Sequence, residues 1–278
     1  MFDINAIPKR EEFKFWFIRR GTSGTFDVIS NESGSKVGWL KDHDYAQFEF
    51  DVDGDRKDVI DDFKLFCTER PEYYVGAKFA EKAIREAGDV IFDKILAGTM
   101  LIESGDAAIP KIESCLNWLH GTDFYTAPAS TQYHDAEPGG LHMHSLRVVN
   151  KINDLYQLPD FAEHVELHRA VVVALVHDWC KINFYEPYKR NVKNEETGVW
   201  EQVQAYRYGK SKIPMGHGET SLYIAQKFFK LTMDQALAIR WHMGDPGNSE
   251  SYNFWDANEK YPLVNMLQFA DRLSIVNY

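Results

Sequence analysis

The stretch His168-Arg169-Ala170-Val171-Val172-Val173-Ala174-Leu175-Val176-His177-Asp178-Trp179-Cys180-Lys181 is apolar without a break from Ala170 to Val176, then ends on an adjacent imidazole and carboxylate. A segment this apolar is buried on most of its sides. Its β-branched residues suit a strand as well as a helix, and its length and the helical pattern of its neighbours decide for a helix over 168–178. An apolar helix that delivers His177 and Asp178 at its rim is an odd way to build a core, because buried charge is costly unless it is paired or metal-bound. Neighbouring residues on a helix point about 100° apart, so both can reach one ion only near the helix edge. Imidazole nitrogen with carboxylate oxygen suits Fe, Mn, Zn or Ni better than calcium.

Working outward, His144 lies upstream, and His217, His242 and Asp271 lie downstream, each close to an expected helix or helix end. Ligands contributed by different helices of a bundle are a common construction for metal sites. The chain is helical in pattern from about Ile109. Thr232 followed by Gln235 has the form of a capping box that opens a helix through Trp241. Pro262 suits the first position of a final helix, with Leu263, Met266, Leu267 and Ala270 as its core face. Between these elements, residues 183–214 are polar and aromatic, and they fit a long loop or a hairpin turning near Glu195–Gly198.

Before Ile109 the pattern is mixed and strand-rich. Strands are expected over Phe13–Ile18, Thr25–Ile29 and Gln47–Val52, with turns at Gly21–Gly24 and Asn31–Lys36. A helix is expected over Tyr74–Ala97, followed by a connector at Ile102–Ala107. The fold class expected is α+β: a smaller strand-rich mixed domain over residues 1–105, then an all-α helical bundle over 106–278. The acidic run Asp51, Asp53, Asp55 is not a calcium loop, since Gly54 sits in the wrong position and no Glu closes it, so a solvated turn is the better account.

With 278 residues, 44% hydrophobic and 14% aromatic, the chain can bury a substantial core. Its formal net charge of −11 disfavours broad binding to duplex nucleic acid. A small anionic substrate can still enter a locally cationic or metal-filled cleft. Cys67, Cys115 and Cys180 form neither a disulfide framework nor a zinc knuckle. The start of the chain is not a signal peptide, and no apolar run nears the roughly 20 residues needed to span a bilayer. A cytoplasmic protein without membrane contact is the expectation.

Taken in order, the motifs are Gly139-Gly140-Leu141-His142-Met143-His144-Ser145-Leu146-Arg147-Val148, then Leu175-Val176-His177-Asp178-Trp179-Cys180-Lys181, Gly216-His217-Gly218-Glu219, Arg240-Trp241-His242 and Ala270-Asp271-Arg272. In this order the chain resembles the HD superfamily of metal-dependent hydrolases over roughly Ile109–Tyr278. The segment from Phe124 through Pro128, His134 and Asp135 to Gly139-Gly140 is similar to the entry segment of two HD groups, the bacterial 3′→5′ exoribonucleases and certain relaxase-associated HD proteins. The resemblance implies His144, His177, Asp178 and Asp271 as the four basic metal ligands. The six-ligand variant adds His217 and His242, with Asp178 bridging two divalent transition-metal ions (Mn, Fe, Ni or Zn). His142 also lies near the first ligand position, but His144 is the one that precedes the Ser-Leu-Arg-Val run.

A bound dication brings the pKa of its water toward neutrality, and a pair about 3.5–4 Å apart can hold both the attacking and the phosphoryl oxygens. Phosphoester hydrolysis is therefore the expected reaction, with a small phosphorylated substrate, a nucleotide or a short oligonucleotide as partner. Lys181, three residues after Asp178, matches a frequent lysine of the family that would neutralise phosphate charge, and a helix-terminal role is its alternative. Arg147 is a similar candidate, balanced against an ordinary salt bridge. Lys210 and Lys212 fit a solvated loop. His134 and Asp135 suit a turn, or a role beside the cleft, outside the ligand set. Two other functions are compatible with the same ligands: a diiron oxygenase acting on a small organic molecule, and a regulatory ligand-binding HD module.

Overall fold

The structure, a computed structural model, describes residues 13–20, 25–41, 58–59, 61–62, 78–79, 81–132, 134–193, 198–209 and 213–275. Near the N-terminus, β1 (Phe15–Arg20), β2 (Thr25–Ser30) and β3 (Lys36–Lys41) form an antiparallel meander in the order β1-β2-β3. Phe15 pairs with Ser30 and Arg20 with Thr25, while the β2–β3 register shifts between Val28 and Ile29. The first two strands fall where alternation places them. The third begins at the end of the expected Asn31–Lys36 turn, and only Val37 and Trp39 show the period of two, with Gly38 between them. The strand expected over Gln47–Val52 and the acidic run at Asp51–Asp55 lie outside the described residues.

The helical part opens with α1 (Glu81–Ser104) and α2 (Ile109–His120), joined by a 3₁₀ turn at Gly105–Ala108. Helix α1 runs beyond the expected end at Ala97 because Leu96, Ala97 and Met100 continue its buried face. Gly98, buried in the helix, does not end it, and the helix gives way only at Gly105, which has φ 55°. Ile84, Phe92, Ile95 and Leu96 recur at the spacing of one helix face and enter the same buried cluster as Ala270 near the end of the chain. Helix α1, on the N-terminal side of residue 105, thus shares one core with the bundle that follows.

That bundle comprises α3 (Gly140–Leu155), the short α4 (Pro159–Ala162), α5 (Leu167–Val176), α6 (His217–Ala225), α7 (Met233–Trp241), α8 (Ser251–Lys260) and α9 (Pro262–Ser274). Helix α5 is the central one, in contact with α1, α3, α6, α7 and α9. Every residue from Ala170 to Val176 has no exposed surface, and each buried Val or Leu contributes roughly 1.5–3 kcal/mol. Gln235 accepts the Thr232 N–H at 3.0 Å, the returning half of the capping box that opens α7. Pro262 starts α9, whose Leu263, Met266, Leu267 and Ala270 are all buried. Gly218 allows α6 to lie against the end of α7, since a Cβ there would sit 2.1 Å from the Arg240 carbonyl oxygen.

The polar stretch after α5 forms a hairpin, so the C-terminal helical part also carries two strands. β4 (Tyr185–Lys193) pairs antiparallel with β5 (Trp200–Tyr208), from Tyr185 opposite Tyr208 to Lys193 opposite Trp200. Among the described residues no helix is long and apolar enough to cross a membrane.

Candidate metal centre

Helix α5 stops one residue short of its imidazole. The His177 N–H still bonds the Val173 carbonyl, but Asp178 (φ −105°, ψ 16°) leaves the helix and a 3₁₀ turn follows over Trp179–Lys181. Trp179 is fully buried, which pins the turn to the core. This break lets two adjacent side chains face one point. It also places Lys181 directly over Asp178, because residues three apart eclipse in a 3₁₀ turn, and Lys181 Nζ reaches Asp178 Oδ2 at 2.6 Å.

Three further elements meet the end of α5. From α3, His144 Nε2 lies 3.3 Å from His177 Nε2, 3.5 Å from Asp178 Oδ2 and 3.1 Å from Asp271 Oδ1. Asp271, from α9, is also 3.9 Å from His177 Nε2, and Asp178 Oδ2 is 3.4 Å from that same nitrogen. At the end of α7, His242 Nε2 faces Asp178 Oδ1 at 3.6 Å and is buried without a hydrogen-bond partner. His144, His177 and Asp271 each offer a ligand atom within 4.8 Å of the others.

The hydrogen bonds fix which nitrogen each ring turns inward. His177 Nδ1 bonds the Ala174 carbonyl at 2.9 Å, and His242 Nδ1 bonds the Ile239 carbonyl at 2.7 Å. A carbonyl only accepts, so in both rings Nδ1 carries the proton and Nε2 presents a lone pair. His144 reaches the same state by another route. Ser274 Oγ gives its single proton to the Asp271 carbonyl at 2.7 Å, and so can only accept from His144 Nδ1 at 3.3 Å. Three lone pairs and two carboxylates therefore converge in a buried space. Such a donor set repels itself unless a shared cation neutralises it, and nitrogen and oxygen donors with backbone-anchored imidazoles fit a divalent transition metal.

The electrostatics agree. Burial alone would raise Asp178, yet the Lys181 ammonium, and after it His177, hold its carboxyl well below the usual carboxylate range. Burial likewise opposes ionisation of Asp271, and the His144 and His177 rings override it and keep that carboxyl low. Burial would lower His177, but the adjacent Asp178 outweighs it and raises the imidazole. The carboxylates thus draw positive charge to the ring nitrogens, where a proton and a metal ion compete for the same lone pairs.

The remaining candidate residues have different surroundings. His217 opens α6 in an exposed position, its Nδ1 3.5 Å from Cys180 Sγ and its ring against Phe184. Burial lowers its pKa, opposed by the charge of Asp178, which places it near the cluster though not in its tight inner group. Arg147 pairs with Asp135 and, at 3.0 Å, with Glu81, so its charge is neutralised within the protein. Lys210 and Lys212 lie outside the described residues.

Beside the centre, Ser274 and Tyr185 do not follow from the sequence pattern, whereas His134 and Asp135, expected at a turn or beside the cleft, stand next to His144. Asp135 holds a left-handed backbone at φ 51°, and its carboxylate stands 3.9 Å from His144 Nδ1. The approach depends on the Gly139-Gly140 pair: Gly139 has φ 82°, and a Cβ on Gly140 would lie 2.1 Å from the Asp135 carbonyl oxygen. His134, Asp135 and His144 form a second group able to hold an ion. Burial first and His144 next lower the His134 pKa. Ser274 carried a spacing signal, three residues after Asp271. Tyr185 hydrogen-bonds the Ala129 carbonyl at 3.3 Å, and burial pushes its hydroxyl up to about 12.

Residues 141–275 match the family model described as HD domain, a span that includes all six histidines and aspartates of the expected ligand set. The match supports membership of this segment in the HD superfamily of metal-dependent hydrolases, which bind divalent metals. Comparison with curated proteins and with solved structures found no match.

Proposed function

We propose that the HD segment is a metal-dependent phosphohydrolase that cleaves a phosphoester of a nucleotide or short oligonucleotide. One observation carries this reading: Nε2 lone pairs of His144 and His177 converge with Asp178 and Asp271 from three separate elements, each imidazole locked in the ligand tautomer by its own Nδ1 partner. His144, His177, Asp178 and Asp271 would hold a first divalent ion. Asp178 Oδ1 and His242, facing one another at 3.6 Å, would serve a second with His217 as an added donor. When bound, such ions supply a water acidified toward neutrality as the nucleophile.

The chain's own residues supply the rest. Lys181, 12% exposed as a side chain and bonded to Asp178, keeps that carboxylate ionised and brings a cation to the cleft where a phosphoryl oxygen would gather charge. Arg147 acts through Asp135, which it holds beside His144, and so is a positioning residue without substrate contact. The entry segment from Phe124 to Gly140, similar to that of the exoribonuclease-like HD group, favours a nucleotide over other phosphoesters. The oxygenase alternative would draw on the same ligands, and iron binding with oxygen consumption on an organic substrate would distinguish it from phosphoester release.

The test is metal analysis of protein purified without chelator, combined with turnover of bis(p-nitrophenyl) phosphate and a nucleotide panel. We expect bound transition metal, release of nitrophenol or nucleotide, and loss of both metal and turnover in Asp178→Ala. Full metal content with normal turnover in that variant, or an inert metal-loaded parent chain, would overturn the assignment.

A further inference from the structure

The β4–β5 hairpin is exposed on both faces over its outer half, from Lys189 to Lys193 and from Trp200 to Gln202. Side chains alternate between the faces of a strand, and directly opposed residues share a face. The register therefore sorts the hairpin into two unlike surfaces. One begins with Tyr185 opposite Tyr208, continues through Lys189 opposite Gln204, and ends with Lys193 opposite Trp200. Its ten residues include four aromatics, two lysines and three side-chain amides, and no carboxylate. Both carboxylates of the paired strands, Glu186 and Glu201, lie on the opposite face, where Glu186 pairs with Arg207 at 3.0 Å.

Three properties of this surface select a partner. The first is charge: the segment 185–208 is balanced, with four Lys or Arg against four Glu, but this face of the paired strands carries Lys189 and Lys193 and no carboxylate, in a chain whose net charge is −11. Among the described residues, Lys189, Arg190 and Lys193 have no acidic partner. The second is the display of large rings to solvent, with Trp200 65% and Tyr208 63% exposed. The third is direction. Tyr185 at the base lies within electrostatic reach of Lys181, and Phe184 packs against both Tyr208 and His217, so the aromatic face starts beside the metal centre and runs outward. Successive rungs on one face are about 6.6 Å apart and the strand is roughly 26 Å long, which matches a few extended nucleotides laid end to end.

We infer that this face is a track for single-stranded nucleic acid, with bases stacked on the exposed rings, phosphates met by Lys189 and Lys193, and one end of the strand directed at the metal centre. Stacking needs unpaired bases, and a positively charged track with aromatic platforms is the usual construction for single strands. The inference rests on the phosphohydrolase reading only for that last clause, since binding along the face does not require turnover. It eases the tension between an acidic protein and a polyanionic substrate, because the carboxylates of the paired strands lie on the other face of the arm.

The experiment measures fluorescence anisotropy of a labelled phosphorothioate single strand of roughly 12 nucleotides, as RNA and as DNA, and of the corresponding duplex. In parallel, turnover of bis(p-nitrophenyl) phosphate, too small to reach the arm, reports an intact fold and centre. The parent chain should bind the single strand at least about tenfold more tightly than the duplex. Lys189→Glu with Lys193→Glu should weaken binding about tenfold or more. It should also flatten the log–log salt dependence by about 1.4, since each lost phosphate contact is worth about 0.7 on a single strand. Trp200→Ala should cost at least about fivefold. Ester turnover should hold in all variants. An unchanged affinity and salt slope in the double variant, or equal binding of duplex, would overturn the track. Strand binding sensitive to these changes in a chain that never hydrolyses the ester would uphold the track and count against the hydrolase. Ester turnover without strand binding would do the reverse.

Discussion

Replacing Ser274 with alanine should weaken metal binding by about tenfold without touching a ligand. The hydroxyl donates to the Asp271 carbonyl and accepts from His144 Nδ1 at 3.3 Å, and it thereby points the His144 Nε2 lone pair at the centre. Losing the partner of a metal-binding imidazole typically costs roughly 10- to 100-fold in affinity, or about 1.4–2.7 kcal/mol. The lower end is expected here because Asp135 Oδ2 stands only 3.9 Å from the same nitrogen. A charge-assisted hydrogen bond there requires about 2.8 Å, so the carboxylate would have to advance by about 1 Å. Arg147 and the left-handed backbone at Asp135 resist that movement. The assay is competition for Mn²⁺ or Zn²⁺ against a chromogenic chelator, with Ser274→Thr as the variant that keeps the hydroxyl. Metal affinity in Ser274→Ala within twofold of the parent would refute the claim that this serine sets the His144 tautomer.

Lys181→Ala should retain metal while phosphoester kcat falls by roughly 10- to 100-fold, as befits loss of one electrostatic contact to developing charge; metal content and steady-state kinetics on the same preparation check it. Arg147→Ala should destabilise the fold by about 1–3 kcal/mol by stripping the nearly buried Asp135 of its partner, read as a lowered Tm with KM for bis(p-nitrophenyl) phosphate unchanged. Asp93 offers a pH test away from the centre. Burial raises its carboxyl above its ordinary value of 3.8, against hydrogen bonds from Tyr125 and His120. A raised folded pKa means that the stability it contributes is complete below 3.8 and is lost as pH rises through the folded value. Asp93→Asn should therefore flatten the fall in stability over that mildly acidic interval, measured by denaturant unfolding at stepped pH; an identical slope in both chains would contradict it.

What the sequence disclosed and what it hid follow from range. The central helix was legible because Ala170–Val176 is apolar on every side, a local property. The capping box at Thr232 and the proline at position 262 are equally local. The third strand of the meander was hidden because Gly38 and the flanking lysines dilute its alternation, and packing decides where propensity is silent. Helix α1 outran its expected end because Met100 finds a core built from residues far along the chain.

The same distinction governs the centre. His177 and Asp178 declared themselves by an unusual local context, an ionisable pair closing an apolar run. Ser274 did not, because it matters only through one nitrogen of His144, a contact made across 130 residues of chain; Asp135, close by in sequence, was readable as a turn or a neighbour of the cleft, and its carboxylate's approach to that same nitrogen was not. His217 shows the converse. Its closeness to a helix or helix end was readable, but the first turn of a helix faces wherever the preceding loop delivers it, and here that is the Cys180 thiol at the edge of the cluster. Lys181 required the break in the helix to be known. Three residues along an α-helix lie about 60° short of a full turn, whereas the 3₁₀ turn that forms brings the ammonium straight onto Asp178. The pairing of Asp178 with the nearest cation is thus a consequence of how the helix ends. A substitution that let α5 continue as a regular helix through Lys181 would separate them and would also undo the turn by which His177 and Asp178 face one point.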